Sequence, residues 1–181
     1  VVCVMKDSNG DGLPNDTWYE LVGNEFGCKG TYYECTVTYY CPGDSGQDVK
    51  WKDNYGHTGV VRYVGNFHKQ PYYYPMWASA DSLVLTGTLL RDNSANVGTI
   101  QEYWVCNSFE YGYVDNYSSK DYSKGYNFFD IDNAVDRSLE HVDLDAIDFV
   151  KVQTAVQAQC GWVGEVSTEI SKILDAHLTN L

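Results

Sequence analysis

Thr31-Tyr32-Tyr33-Glu34-Cys35-Thr36-Val37-Thr38-Tyr39-Tyr40-Cys41 is the stretch that decides the fold class. Tyr, Cys, Val and Thr alternate across all eleven residues, and β-branched and aromatic side chains fit a pleated surface better than a helix. Cys41-Pro42-Gly43-Asp44-Ser45-Gly46 then breaks the run. Working outward, Val1–Lys6 and Thr17–Val22 read as strands on the N-terminal side. Val49–Asp53 and Thr58–Val64 flank the turn Asn54-Tyr55-Gly56 and read as a hairpin. Ser82–Leu90, Thr99–Phe109 and Ile147–Val156 complete the predicted strands, with a polar loop over Asp92–Gly98. The tail Gly164–Leu178 fits a helical stripe and a period-two face equally, with a lean to a strand through Ile170. Strands at roughly 10–15-residue spacing, separated by Gly/Asp/Asn turns, signal an all-β sandwich with little helix.

Composition agrees. The 181 residues suit one domain with a real core, here 1–181. Twelve basic against twenty-five acidic residues give −13, without a Lys/Arg cluster, so the chain repels nucleic-acid phosphates and anionic membranes. No apolar run is long enough for a membrane helix. The chain opens directly in the apolar strand Val1-Val2-Cys3-Val4-Met5, which reads as a mature, cleaved or truncated piece of the native protein.

Asp7-Ser8-Asn9-Gly10-Asp11-Gly12-Leu13-Pro14-Asn15-Asp16 places oxygen-bearing side chains at alternate positions, followed by a glycine. Short loops wrap a hard cation such as calcium in this way. Asp7, Asn9 and Asp11 are the candidate ligands, with the Leu13 carbonyl and either Asn15 or Asp16 closing the wrap. An EF-hand needs a bidentate Glu at the twelfth loop position, where this chain has Trp18. The competing interpretation is a plain Asx/Gly turn between two strands.

The six cysteines at 3, 28, 35, 41, 106 and 160 form no C-x-x-C pair and no zinc-knuckle spacing. Disulfides in an oxidising compartment are the expectation, with one local bridge within 28–41. Six cysteines allow 15 connectivities, and the sequence does not choose among the rest.

Gly43-Asp44-Ser45-Gly46 looks like a serine-nucleophile segment, but all four histidines (57, 68, 141, 177) follow it, opposite to the trypsin-like order. The histidines show no H-x-H or H-x-x-x-H pairing, so no zinc enzyme is indicated, and His57 and His68 are expected in loops. Glu20, Glu34, Glu102 and Glu169 sit on predicted strands, where the polar face of a sheet is their ordinary place. A glycosidase would need two carboxyls roughly 5–10 Å apart across a cleft. Phe67-His68-Lys69-Gln70-Pro71-Tyr72-Tyr73-Tyr74-Pro75-Met76-Trp77 is a proline-stiffened loop of large aromatics, suited to a sugar face or flat cofactor, or else to capping the core. Asp115, Asp130 and Asp132 form a second acidic group without diagnostic spacing.

Several phrases, in order along nearly the whole chain, resemble one family. They are Lys6–Pro14 running on to Trp18-Tyr19-Glu20-Leu21, then Trp51-Lys52-Asp53-Asn54, Gln70-Pro71-Tyr72-Tyr73 and Leu85-Thr86-Gly87-Thr88. Tyr111–Asn116, Phe129–Asp132, Ala134-Val135-Asp136, Ile147–Val152 and Gly164–Ile170 continue them. The chain is similar to secreted cell-surface proteins of gut Bacteroidetes, some described as PKD-like. That resemblance implies a jelly-roll-like β-sandwich on the outer-membrane surface, behind a lipoprotein signal and one or more preceding domains, with native N-terminal strands before Val1 missing from this chain. It also implies a role beside uptake systems for glycans or corrinoids, and it carries over no catalytic motif. The expected function is a non-enzymatic module capturing a glycan or small nutrient, with calcium ordering residues 7–16. Its candidate ligand-binding residues are Trp18, Tyr72, Tyr73, Tyr74, Trp77, Tyr111 and Tyr113. A structural or adhesive domain contacting a neighbouring surface protein is the alternative, and a carbohydrate-active enzyme the remote one.

Overall fold

Val2-Cys3-Val4-Met5 is apolar at every position, so it must be covered on both faces, and it forms the central strand β1 (Val2–Met5), buried throughout. A computed structural model of the chain describes residues 1–114, 125–161, 164 and 168–179. Two compact units are assembled from separated stretches: Val1–Asn24, Ser108–Thr154 and Ser167–Leu181 in the first, Glu25–Asn107 and Ala155–Val166 in the second.

In the first unit β1 lies between β2 (Trp18–Leu21) and β10 (Phe149–Val152), and β2 pairs onward with β9 (Ala134–Val135). All pairs are antiparallel. Register puts Val2 opposite Leu21 and Val152, Val4 opposite Tyr19 and Val150, and Leu21 opposite Ala134. Those residues share one face, which is the core cluster of Val2, Val4, Leu21 and Ala134, closed by Tyr19, Val114, Phe129, Leu144, Ile147, Val150 and Val152. Each buried Val or Leu contributes about 1.5–3 kcal/mol relative to exposure. Asp130 caps a short 3-10 turn, Ile131–Asn133, that leads into β9.

The second unit holds a sheet in the order β5-β4-β3-β6. Its strands are β3 (Tyr32–Tyr40), β4 (Val49–Asp53), β5 (Thr58–Val61) and β6 (Ser82–Leu89). The β4–β5 hairpin turns at Asn54-Tyr55-Gly56 as expected. β3 carries a bulge between Tyr32 and Cys35, where Glu34 takes a left-handed φ of 49°. One extra residue there turns the Cys35 side chain into the interior, where it is 3% exposed. A separate ribbon pairs β7 (Ser94–Asn96) with β8 (Trp104–Cys106).

The all-β expectation of antiparallel sheets, long loops and little helix is what the structure shows, in keeping with the sandwich class. Two stretches differ. The predicted long strand over Thr99–Phe109 shrinks to β8, because the Asn96 side-chain oxygen accepts the Gly98 and Tyr103 N–H groups and bends the chain into a hairpin. In the tail, 168–175 has no regular structure and Ala176–Thr179 forms one helical turn, while 165–167 lie outside the described residues.

The bridge expected within 28–41 is not present, and none of the six sulfurs is bonded to another. Cys35 and Cys41 lie six residues apart along an extended strand, roughly 20 Å, whereas a disulfide needs Cα atoms within about 7 Å. Cys28 is exposed while Cys35 is buried beside Asp53.

Candidate functional site

The 7–16 loop folds around its own carboxylates. Asp7 accepts the Gly10 and Asp11 N–H groups on Oδ1 (2.8 and 3.2 Å) and the Gly12 N–H on Oδ2 (2.8 Å). Asp16 Oδ2 accepts from the Ser8 and Asn9 backbones (2.9 and 3.4 Å), and Asn9 Oδ1 accepts from Asp11 N. Asp11 takes the Leu13 N–H on Oδ1 and the Asn15 amide on Oδ2 (2.8 and 2.9 Å). The Asn15 amide and the Leu13 N–H hold the Asp11 carboxyl below its usual range. The entry to the loop is tied down by Asp148 Oδ2, which accepts the Asp7 N–H at 2.7 Å.

All six sequence-predicted ligands therefore share one loop. Among the described residues no three His, Cys, Asp or Glu side chains converge as a metal cluster. A cation here would draw on the Asn9 and Asn15 amide oxygens and the Leu13 carbonyl as well as on the carboxylates. That donor set is all oxygen and suits calcium. A carboxylate offers about four lone-pair directions, and three on Asp7 already meet amides, so the loop holds its shape through hydrogen bonds alone.

The aromatic candidates divide between the units. In the first, Trp18 is half-buried with the Lys151 ammonium 4.9 Å from its ring centre. Tyr111 is 37% exposed, while Tyr113 is 7% exposed and packs on Phe109 with ring centres 5.0 Å apart. The Asn24 side chain accepts the Glu110 and Tyr111 N–H groups, clamping this stretch to residue 24. Gly23 is required by that clamp, since a Cβ there would collide with the Tyr111 carbonyl and the Tyr113 ring. Tyr113 is thus a core residue.

In the second unit Tyr74 is buried and donates its hydroxyl to the Ala80 carbonyl at 2.9 Å. Tyr73 receives the Val64 N–H (3.1 Å), donates to the His68 carbonyl (3.3 Å) and packs on Tyr63. Tyr72 is half-buried. Trp77, by contrast, is 76% exposed, beside Met76 at 78%. The Gly46 N–H to Pro71 carbonyl bond (2.8 Å) and the Ala78 N–H to Pro75 carbonyl bond (3.0 Å) pin the loop on either side. A large indole is held out by a loop that Tyr73 and Tyr74 fasten inward, while Phe67 is also exposed, at 53%.

The sequence placed His57 in a loop with no metal role; it lies in the β4–β5 turn, where it meets a partner the sequence reading did not name. Asp53 ends β4 with its side chain fully buried and faces His57 Nδ1 at 2.7 Å. Its other oxygen, Oδ1, accepts the Tyr55 and His57 N–H groups (3.0 and 2.8 Å), while Cys35 Sγ points to Oδ2, the oxygen facing His57, at 3.8 Å. Burial works to raise the Asp53 pKa, but the His57 hydrogen bonds outweigh it and hold the carboxyl low. Burial first, and the Asp53 charge second, push the Cys35 thiol up to about 11. The Asn54 side chain donates to the Glu34 carbonyl and accepts the Thr36 N–H, locking the hairpin turn onto the β3 bulge. An Asp and a His four residues apart across a tight N-Y-G turn are the sequence signal for this pair. The pair fastens the hairpin through three hydrogen bonds to one carboxylate.

Of the remaining acidic candidates, Asp130 accepts the Asp132 N–H as a cap, and Asp115 lies outside the described residues. The fold and these sites define an all-β protein of antiparallel sheets with one exposed aromatic loop and one Asp/Asn loop. Neither models of known protein families nor characterised proteins give a match to this chain.

Proposed function

We propose that the chain is a non-enzymatic binding module of a bacterial cell surface that captures a glycan or small nutrient, corrinoids included, through Trp77. The reading rests on the exposure of that indole on a loop fastened by Tyr73, Tyr74 and two backbone hydrogen bonds. A flat ring carried on a hydrogen-bonded loop costs less loop ordering when it stacks on a sugar face. The resemblance to secreted Bacteroidetes surface proteins supports the compartment, and the oxygen donors of the 7–16 loop support calcium as its ion. The adhesive alternative draws on the inward packing of Tyr73, Tyr74 and Tyr113, which leaves fewer rings for a small ligand.

Glycan-array screening and corrinoid titration, followed by tryptophan fluorescence, test the proposal. Trp77→Ala is expected to weaken the ligand found by about tenfold or more, corresponding to about 1.4 kcal/mol, without changing the circular dichroism spectrum. Binding that survives Trp77→Ala, or no binding by a folded chain, would count against it.

A further inference from the structure

Cys106 and Cys160 stand 54 residues apart in sequence, yet their sulfurs lie 3.5 Å from each other. That is sulfur–sulfur contact distance, and a bond requires a further approach of roughly 1.5 Å to about 2.05 Å. The other four thiols are placed differently. Cys3 belongs to the first unit and is buried there, Cys28 and Cys41 are exposed, and Cys35 faces Asp53.

Both partners of the close pair are backed by fixed chain. Cys106 ends β8, and the next residue, Asn107, is tied to Asn93 by its backbone N–H (3.0 Å) and its side-chain amide (3.1 Å). Cys160 lies on the stretch 155–161, which returns to the second unit after β10. There the Ala155 carbonyl accepts the Leu90 N–H at 2.7 Å, the Gln157 amide donates to the Tyr39 hydroxyl at 2.8 Å, and the Cys160 carbonyl accepts the Gly164 N–H. Gly161 is what allows the approach: its φ is +51°, and a Cβ would sit under 3 Å from the Trp104 indole. A side chain at 161 would push the return stretch off β8 and separate the two sulfurs.

We propose that Cys106 and Cys160 are a disulfide site, a covalent staple holding the return stretch to β8. Cys106 is the half-buried member and Cys160 the buried one, which sets the order of events. The Cys106 thiol loses its proton and attacks a sulfur of a disulfide donor, such as glutathione disulfide or an oxidised dithiol oxidoreductase. One donor thiolate leaves. The Cys160 thiolate then attacks Cys106 Sγ in the mixed disulfide and expels the second donor thiol. The two protein thiols give up two protons and two electrons, and the donor disulfide becomes two thiols. The site is independent of whether Trp77 binds a ligand.

The test is peptide mapping of the full chain after equilibration with glutathione disulfide and alkylation of the remaining thiols. Trypsin places Cys106 in peptide 92–120 and Cys160 in 152–172, while Cys35 and Cys41 share 30–50, Cys28 lies in 7–29 and Cys3 in 1–6. The expected product is a reductant-sensitive 92–120/152–172 pair, formed equally in a Cys28→Ser/Cys41→Ser variant that has lost both exposed thiols. Oxidation should raise the thermal midpoint by roughly 5–15 °C, as closure of a loop this long implies. Cys106→Ser should lose that rise while matching the reduced parent under reducing conditions. A folded, oxidised chain without the 92–120/152–172 pair, or with Cys106 and Cys160 joined to other cysteines, overturns the proposal. So does a Cys106→Ser variant that melts well below the reduced parent without oxidant, since packing alone would then account for the pair.

Discussion

Replacing Asp53 isolates what one buried carboxylate does for the second unit. Its oxygens meet the Tyr55 and His57 N–H groups and the His57 ring, and its side chain is fully buried. Asp53→Ala removes the acceptor from all three donors at once. Leaving a donor that a buried carboxylate satisfied without its acceptor costs about 1–3 kcal/mol for each group stranded. Asp53→Asn keeps one acceptor oxygen for the two backbone amides and loses only the charge-assisted bond to His57, about 1.5–3 kcal/mol. Urea unfolding at pH 7 measures both as shifts in midpoint at constant slope. The Trp51 indole, packed over Gly59 in the same hairpin, serves as a local fluorescence reporter. The pH arm follows from the direction of the Asp53 shift. A carboxyl held low in the fold adds stability above its unfolded pKa of about 3.9 and loses it as pH falls through the folded value. The gap between the parent chain and Asp53→Asn must therefore narrow on acidification toward and below pH 4. An Asp53→Ala variant within about 0.5 kcal/mol of the parent at pH 7, or a gap unchanged from pH 7 to pH 3, would refute the assignment.

Two further outcomes follow from the geometry. Arg91 holds Glu25, whose side chain is 6% exposed, through Nε and Nη2 at 2.7 and 3.0 Å. Arg91→Ala is expected to cost about 1.5–3 kcal/mol in urea unfolding by removing the guanidinium fork from a buried carboxylate, and Arg91→Lys to recover only part, since an ammonium cannot reproduce the fork. A silent Arg91→Ala variant contradicts this. At the 7–16 loop, calcium should raise the thermal midpoint and chelation lower it without unfolding the chain, because amide hydrogen bonds already shape the loop. Asp11→Asn should abolish the effect. The low Asp11 pKa keeps that carboxylate charged in mild acid, so calcium should still act at pH 5. Calorimetry showing no calcium dependence leaves only the turn.

Strands with local instructions were legible. The β4–β5 hairpin follows from Asn54-Tyr55-Gly56, and β1 from an apolar run that only a doubly covered strand accommodates. The over-read strand at Thr99–Phe109 failed for a local reason that alternation cannot express. One Asn96 oxygen takes two N–H groups that a strand would have used, and Ile100 is left 99% exposed at the hairpin tip. The cysteines failed for the opposite reason. Closeness in sequence favoured 28–41, but an extended strand carries its residues apart at about 3.3 Å each, so six residues on one strand are far from bonding. The pair that meets in space, Cys106 and Cys160, is joined by 54 residues of chain that no short-range pattern can interpret.

The aromatic loop shows why composition named a site without resolving it. Tyr72, Tyr73, Tyr74 and Trp77 are equivalent as a run of large rings, and what separates them is where each polar handle finds a partner. Tyr74 reaches the Ala80 carbonyl, and Tyr73 spans Val64 and His68, so both rings are drawn inward by hydroxyl groups that burial would otherwise penalise. Tyr72, half-buried, lies between these cases. Trp77 follows Pro75 by two residues, where the Ala78 N–H to Pro75 carbonyl bond turns the chain and leaves the indole in solvent. Tyr73 and Tyr74 therefore fix the loop, and Trp77 is a ring it presents to solvent. A Tyr74→Phe substitution should loosen the loop by removing its anchor to Ala80, and so weaken any ligand of Trp77 without that residue touching it.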